Sequence, residues 1–125
     1  MVLELTINDQ VYEFKAGIGF LRDVNKKVQQ KIDGTNRVKD MGLQYLVAGI
    51  IDGDIEDLID ALDLMNKGCE PRLTRKQIER YIEEVEDIEK LFDTVLGFLK
   101  NANVSKRITK DLLKRVEENQ KDQKK

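Results

Sequence analysis

The sequence contains no histidine, and it has a single cysteine and a single proline among its 125 residues. The absence of histidine removes the usual general base near neutral pH and the most common metal ligand. Ser-His-Asp and Cys-His catalytic sets are therefore impossible within this chain. One cysteine, Cys69, excludes an internal disulfide and fits a reducing compartment. We interpret Cys69 as a free structural thiol, and we expect no enzyme activity, no metal and no cofactor.

The chain also lacks a strong excess of either charge and a long apolar run. Lys and Arg number 22 against 24 Asp and Glu, so a strong overall field is not the main means of finding a partner. The longest apolar-rich stretch, 43–51, is far too short to span a bilayer. The N-terminus lacks the basic-then-apolar layout of a signal peptide. We therefore expect a cytoplasmic protein without a membrane partner.

Alternating apolar residues predict a β-hairpin at the N-terminus. A two-residue turn at 8–9 places Leu5 opposite Tyr12 and Leu3 opposite Phe14. The apolar side chains of both strands then share one face, which supports this register. A hairpin of two strands is marginal in water, so it is expected to pack on the helices that follow.

Apolar residues at helical spacing predict five to six amphipathic helices after the hairpin. Asp54 is a predicted N-cap, and Thr74 with Gln77 fits a capping box. The predicted fold class is α+β, predominantly α, with the hairpin and helices forming a compact bundle in one domain over 1–118. The predicted ranges are a hairpin at 2–16, helices at about 18–30, 38–51, 54–67, 74–86, 87–100 and 104–118, a loop at 31–36, and a polar flexible tail at 119–125.

The predicted helix 38–51 is apolar on nearly all sides. Such a helix is normally buried, so one interpretation is a central core helix. The other interpretation is that one face meets the core and the opposite face meets a second chain. The candidate partner-binding residues under that hypothesis are Leu43, Leu46, Val47 and Ile50.

Basic residues cluster in the last quarter of the chain. The candidate basic surface consists of Lys106, Arg107, Lys110 and Lys114. A phosphate-facing helix is one interpretation. A solvated helix face and a docking surface for an acidic protein are the others, and the lack of interleaved aromatic residues favours the solvated face.

The order of several short segments resembles one protein family over nearly the whole chain. These segments are LELTIN at 3–8, YEFK at 12–15, GIGFLR at 17–22, MGLQY at 41–45, AGIIDGD at 48–54, NKG at 66–68, PRLTR at 71–75 and KNAN at 100–103. Together they resemble the tail assembly chaperones of long-tailed phages and prophages of Gram-positive bacteria.

The resemblance implies a protein that binds the phage tape measure protein and keeps it soluble while the tail tube assembles. It implies a location in the host bacterial cytoplasm and absence from the mature virion. It also implies contact with the tail tube protein through a longer, frameshifted form, and it brings no catalytic residues. We expect self-association as well. The alternative is a small nucleic-acid-binding or regulatory helical protein that uses the basic C-terminal helix.

Overall fold

The chain begins with the predicted antiparallel hairpin, formed by strands β1 (Leu3–Ile7) and β2 (Gln10–Phe14). The structure is a computed structural model that describes residues 1–31, 34–35 and 38–123. Leu3 pairs with Phe14 and Leu5 with Tyr12, which confirms the predicted register. The turn residues Asn8 and Asp9 both have positive φ, 52° and 64°. This is the backbone of a type I′ turn, which Asn and Asp tolerate better than most residues.

The hairpin packs against the helices through one face and two hydrogen bonds. Phe14 is fully buried. The Lys15 backbone N–H donates to the Met65 carbonyl at 2.8 Å, and the Asn66 side-chain amide donates to the Glu13 carbonyl at 3.0 Å. The end of β2 is therefore tied to the end of a later helix.

The segment after the hairpin differs from the prediction. Helix α1 covers Ile18–Asn25, and short strands β3 (Gln29–Lys31) and β4 (Val38–Asp40) form a second antiparallel pair. The predicted helix 18–30 is therefore too long, and the predicted helix 38–51 starts too early, because α2 covers Gly42–Ile51. The predicted loop at 31–36 includes residues 32, 33 and 36, which lie outside the described residues.

Two tertiary contacts explain where α1 ends and α2 begins. The Asn25 side-chain oxygen accepts a hydrogen bond from the Leu43 backbone N–H at 3.0 Å, so Asn25 satisfies a free N–H in the first turn of α2. Gly42 lies so close to Val24 that a Cβ atom at position 42 would overlap the Val24 carbonyl. The end of α1 and the start of α2 are therefore in backbone contact.

The remaining helices follow the predicted order. They are α3 (Ile55–Asn66), α4 (Arg75–Glu84), α5 (Ile88–Asn101) and α6 (Lys106–Gln123). Asp54 caps α3, Thr74 and Gln77 form the capping box of α4, and Asp87 caps α5. The predicted tail at 119–125 is wrong as far as Gln123, because α6 continues to that residue. Its last turns contain no Gly or Pro, and Glu, Gln and Lys are good helix formers.

The core is built around α2, which contacts α1, α3, α5 and α6. Ile7, Tyr12 and Phe14 of the hairpin join the same apolar cluster. In the part of the chain that the structure describes, the N-terminal hairpin is followed by six helices. The predicted fold class, α+β and predominantly α, is confirmed.

Candidate functional site

The predicted partner-binding residues of α2 lie in the core. Leu43 and Val47 are fully buried, and Leu46 and Ile50 are 5% and 2% exposed. Folding of the chain alone already covers these side chains, so they are not accessible to a partner in the folded protein. This corrects the prediction that their face of α2 is open. The opposite side of α2 carries Tyr45, which is 57% exposed.

The predicted basic residues lie where the sequence suggested, on the solvent-exposed side of α6. Lys106, Arg107, Lys110 and Lys114 are all exposed, and none forms an ion pair with a residue that the structure describes. Thr109, on the inner side of the helix, is fully buried. Helix α6 contains no aromatic residue, so this face lacks a platform on which a nucleic acid base can stack.

A concave surface lies between the hairpin and the corner where α4 meets α5. It is a groove of about 560 Å³ whose apolar lining is formed by Leu5, Tyr81, Val85 and Leu91. A second cavity of about 190 Å³ shares Tyr81 and Val85 and continues along β1 to Asn8. We call this continuous surface the hairpin groove.

The break between α4 and α5 creates the hairpin groove. Helix α4 ends at Glu84, and its C-cap Val85 has an extended backbone with a ψ of 135°. Asp87 caps α5 by accepting a hydrogen bond from the Lys90 backbone N–H at 3.0 Å. The chain therefore turns at this point, and Val85 remains half-buried beside the hairpin. Burial raises the pKa of Tyr81, because its partly desolvated position disfavours the charged phenolate.

A second groove lies on the other flank of α4, between that helix and α3. Its volume is about 290 Å³, and we call it the α3–α4 groove. Its apolar side chains are Ile59 and Ile82, which are nearly buried, and Ile55, which is 41% exposed. The remaining lining residues are Glu56, Glu79 and Glu83.

Ion pairs hold α4 and the segment before it against α3. Arg75 contacts Asp60 at 2.8 Å and Asp63 at 3.6 Å, and Arg72 contacts Asp63 at 2.8 Å. Asp60 also lies 3.7 Å from Lys27. These side chains are partly exposed, so each pair contributes little stability, but together they fix the relative position of the two helices.

The segment before α4 is also fixed from inside. Asn66 is fully buried, and its side-chain oxygen accepts hydrogen bonds from the Leu73 backbone N–H at 2.7 Å and from the Arg72 guanidinium at 2.9 Å. Its amide donates to the Glu13 and Pro71 carbonyls at 3.0 and 3.3 Å. One side chain therefore joins β2 of the hairpin, the end of α3 and the segment that leads into α4.

Neither groove is predicted by the sequence. Helical spacing places Tyr81 and Val85 on the apolar face of the predicted helix 74–86, and alternation places Leu5 on the apolar face of the hairpin. Helical spacing shows which residues share a face, but not that two neighbouring elements leave a gap between them. The sequence does indicate a break at Glu86-Asp87, just after the end of α4, where Asp87 can cap the next helix.

Two further properties concern the described residues alone. Within 1–31, 34–35 and 38–123, no group of three or more acidic or cysteine side chains is placed to hold a metal ion. None of the helices over the same residues is long and apolar enough to cross a membrane.

Comparison with known proteins identifies the family of the chain. A family model described as a phage tail assembly chaperone protein matches residues 4–114. No curated protein and no solved structure gives a match. The matched segment starts in β1 and ends in α6, so it includes both grooves, and the family it describes is not one of enzymes. Because the match covers most of the 125 residues, the chain belongs to the phage tail assembly chaperone family.

Proposed function

We propose that this chain binds the phage tape measure protein and keeps it soluble while the tail tube assembles. The family match over residues 4–114 carries this proposal. The role requires neither a catalytic residue nor a cofactor. It is carried out in the cytoplasm of the host bacterium, and the chain is absent from the mature virion.

The hairpin groove is the proposed binding surface. A tape measure chain exposes long amphipathic helices, and an apolar groove covers one face of such a helix. Leu5, Tyr81 and Val85 are half-buried and offer accessible apolar surface between the hairpin and the helix corner, and buried Leu91 lies beneath them. It replaces the face of α2 that the sequence suggested, which the core occupies.

Co-expression with the tape measure protein tests this proposal. The groove variant replaces Leu5 and Val85 with Gln. The matched control replaces Val11 and Val116 with Gln, and neither of these residues lines the groove. We expect the wild-type chain and the control to keep the tape measure protein in the soluble fraction. The groove variant should leave most of it in the pellet while retaining its own helical circular dichroism spectrum.

Two outcomes contradict the proposal in different ways. A wild-type chain that leaves the tape measure protein insoluble refutes the chaperone function toward this client. A folded groove variant that solubilises the client as well as the control does refutes the hairpin groove as the binding surface.

The proposed partners extend beyond the tape measure protein. The chain self-associates under this proposal, and a frameshifted longer form contacts the tail tube protein. Sedimentation velocity over a range of concentrations measures the first property. Mass spectrometry of the products expressed from the phage gene detects the longer form.

A second candidate function rests on the exposed basic face of α6. Lys106, Arg107, Lys110 and Lys114 form a row of cations that can contact phosphates. A mobility-shift assay at several salt concentrations tests it, because phosphate contacts weaken steeply with salt. A salt-sensitive shift that disappears when these four residues are changed to Gln supports nucleic acid binding, and the absence of a shift removes this candidate.

A further inference from the structure

We propose that the α3–α4 groove binds lysine or arginine side chains of the client that the hairpin groove holds. This inference rests on the proposed function, since it names the chemistry of the client segment that contacts the second flank of α4. The proposed occupant is a cationic part of the tape measure protein, adjacent in sequence to the helix in the hairpin groove.

The lining of the α3–α4 groove combines an apolar floor with a rim of one charge. Ile55, Ile59 and Ile82 form the floor, and Ile55 is 41% exposed. Every titratable side chain of the lining is a glutamate. Lysine and arginine fit this combination, because their aliphatic stems cover apolar surface while their charged ends reach nearby carboxylates.

The rim carboxylates are weakly neutralised by the chain itself. The nearest cation to Glu56 is Arg75, whose guanidinium lies 3.8 Å away, and the Glu56 side chain is 80% exposed. Glu79 and Glu83 form no ion pair with any described residue. The groove therefore retains negative charge that a cationic partner can neutralise.

Glu79 and Glu83 repel each other on α4, although Arg75, Lys76 and Arg80 lie one turn before them on the same helix. The two glutamates lie four residues apart on one helix face, a spacing at which like charges destabilise a helix. Glu83 also lies in the last turn of α4, which contains no basic residue, and the helix dipole there favours cations. A bound lysine or arginine relieves both effects.

Helix α4 sets the distance between the two bound parts of the client. Tyr81 and Val85 face the hairpin groove, whereas Glu79 and Glu83 face the α3–α4 groove. A helix with its side chains is about 10 Å across, which corresponds to about two turns of a client helix. The cationic residues are therefore expected within about two turns of the apolar segment that docks beside the hairpin.

The test compares client affinity for three forms of the full chain. A variant of the α3–α4 groove, called the groove variant from here on, carries Glu79→Gln and Glu83→Gln. The control carries Glu117→Gln and Glu118→Gln, which removes the same charge from exposed positions on α6. Affinity for the tape measure protein is measured at low and high salt. Exposed charge pairs contribute about 0.2–1 kcal/mol each, so losing two of them should make the groove variant bind about two- to thirtyfold more weakly at low salt.

The melting temperature distinguishes the loss of a binding contact from a general loss of structure. Removing the repulsion between Glu79 and Glu83 should leave the melting temperature unchanged or raised, while client binding becomes weaker and less dependent on salt. The control should match the wild type in both measurements. Weaker binding in a protein that is not less stable therefore supports the inference.

Three results overturn the inference and can be told apart. If the wild-type chain does not bind the tape measure protein, the proposed function itself fails. If the client binds the groove variant as tightly as the control, the α3–α4 groove takes no cationic residue from it. If the variant instead loses self-association in sedimentation velocity without losing client affinity, the occupant is a second copy of the chain.

Discussion

Replacing Asn66 with Ala should destabilise the fold more than any exposed Asn substitution. The side chain is fully buried and makes hydrogen bonds with Glu13, Pro71, Arg72 and Leu73. The Leu73 N–H loses its acceptor in a buried position, which costs about 2 kcal/mol, and each of the two carbonyls loses a bond worth about 0.5–1 kcal/mol. Arg72 is exposed and regains water. The expected loss is therefore about 3 kcal/mol.

Urea unfolding followed by circular dichroism measures this loss. With a slope near 1.5 kcal/mol per molar urea, typical of a small protein, the midpoint should fall by about 2 M. A fall in midpoint at an unchanged slope assigns the effect to stability rather than to a more compact denatured state. A loss of this size is a large fraction of the roughly 5–15 kcal/mol that stabilises a domain.

Asn101→Ala is the matched control. Its side-chain amide donates a single hydrogen bond, to the Gly97 carbonyl at 2.9 Å, in an exposed position. Water replaces that bond, so the free energy of unfolding should change by less than about 0.5 kcal/mol. If Asn66→Ala shifts the midpoint no further than Asn101→Ala does, the reasoning that one buried side chain joins the hairpin to the approach of α4 is refuted.

Two further predictions concern glycines and pH. Gly42→Ala should lower the free energy of unfolding by at least about 2 kcal/mol, because the new Cβ would overlap the Val24 backbone. Gly97→Ala in α5 should raise it by about 0.5–1 kcal/mol, because no other atom lies within 4 Å of the added Cβ. Thermal melting of both variants measures these changes. Burial and neighbouring carboxylates raise the pKa of Asp57, so the folded state binds more protons there than the unfolded state, and the contribution of Asp57 to stability falls as pH rises through the raised pKa. Asp57→Asn should therefore gain stability relative to wild type between about pH 4 and pH 7, and parallel unfolding curves over that range would contradict this.

The elements that sequence predicted best are those that local chemistry determines. The hairpin register follows from alternation and from a two-residue turn whose Asn8 and Asp9 tolerate positive φ. The capping box of Thr74 and Gln77 involves residues three positions apart, so the start of α4 is visible in the sequence. In both cases the interacting residues are neighbours along the chain.

The end of α1 could not be predicted in the same way. Asn25 satisfies the backbone N–H of Leu43 in α2, and Gly42 contacts the backbone of Val24, so residues 18 positions apart decide where α1 ends and α2 begins. Helical periodicity through Val28 supported a longer α1. A contact between two helices outweighed that local preference.

The orientation of α2 was ambiguous for a related reason. Periodicity identifies which residues share a face, but two apolar faces give no sign of which one points inward. Two glycines of α2 mark where neighbouring elements approach the helix most closely. Gly42 contacts the α1 backbone and Gly49 contacts the Asp57 carboxylate, so other elements approach closely on that side and Tyr45 lies exposed between these contacts. Close approach of this kind requires residues without a Cβ.

The two grooves share α4, and the contacts that position α4 are therefore part of the proposed function. The Arg75–Asp60 pair, at 2.8 Å, joins α4 to α3, while Asn66 joins the preceding segment to the hairpin. Surface fixed before binding costs less conformational entropy when a client docks. Loss of the Asn66 hydrogen bonds should consequently weaken client binding in addition to lowering stability, even though Asn66 lines neither groove. A folded Asn66→Ala chain that binds the client as tightly as wild type would show that the grooves form independently of this support.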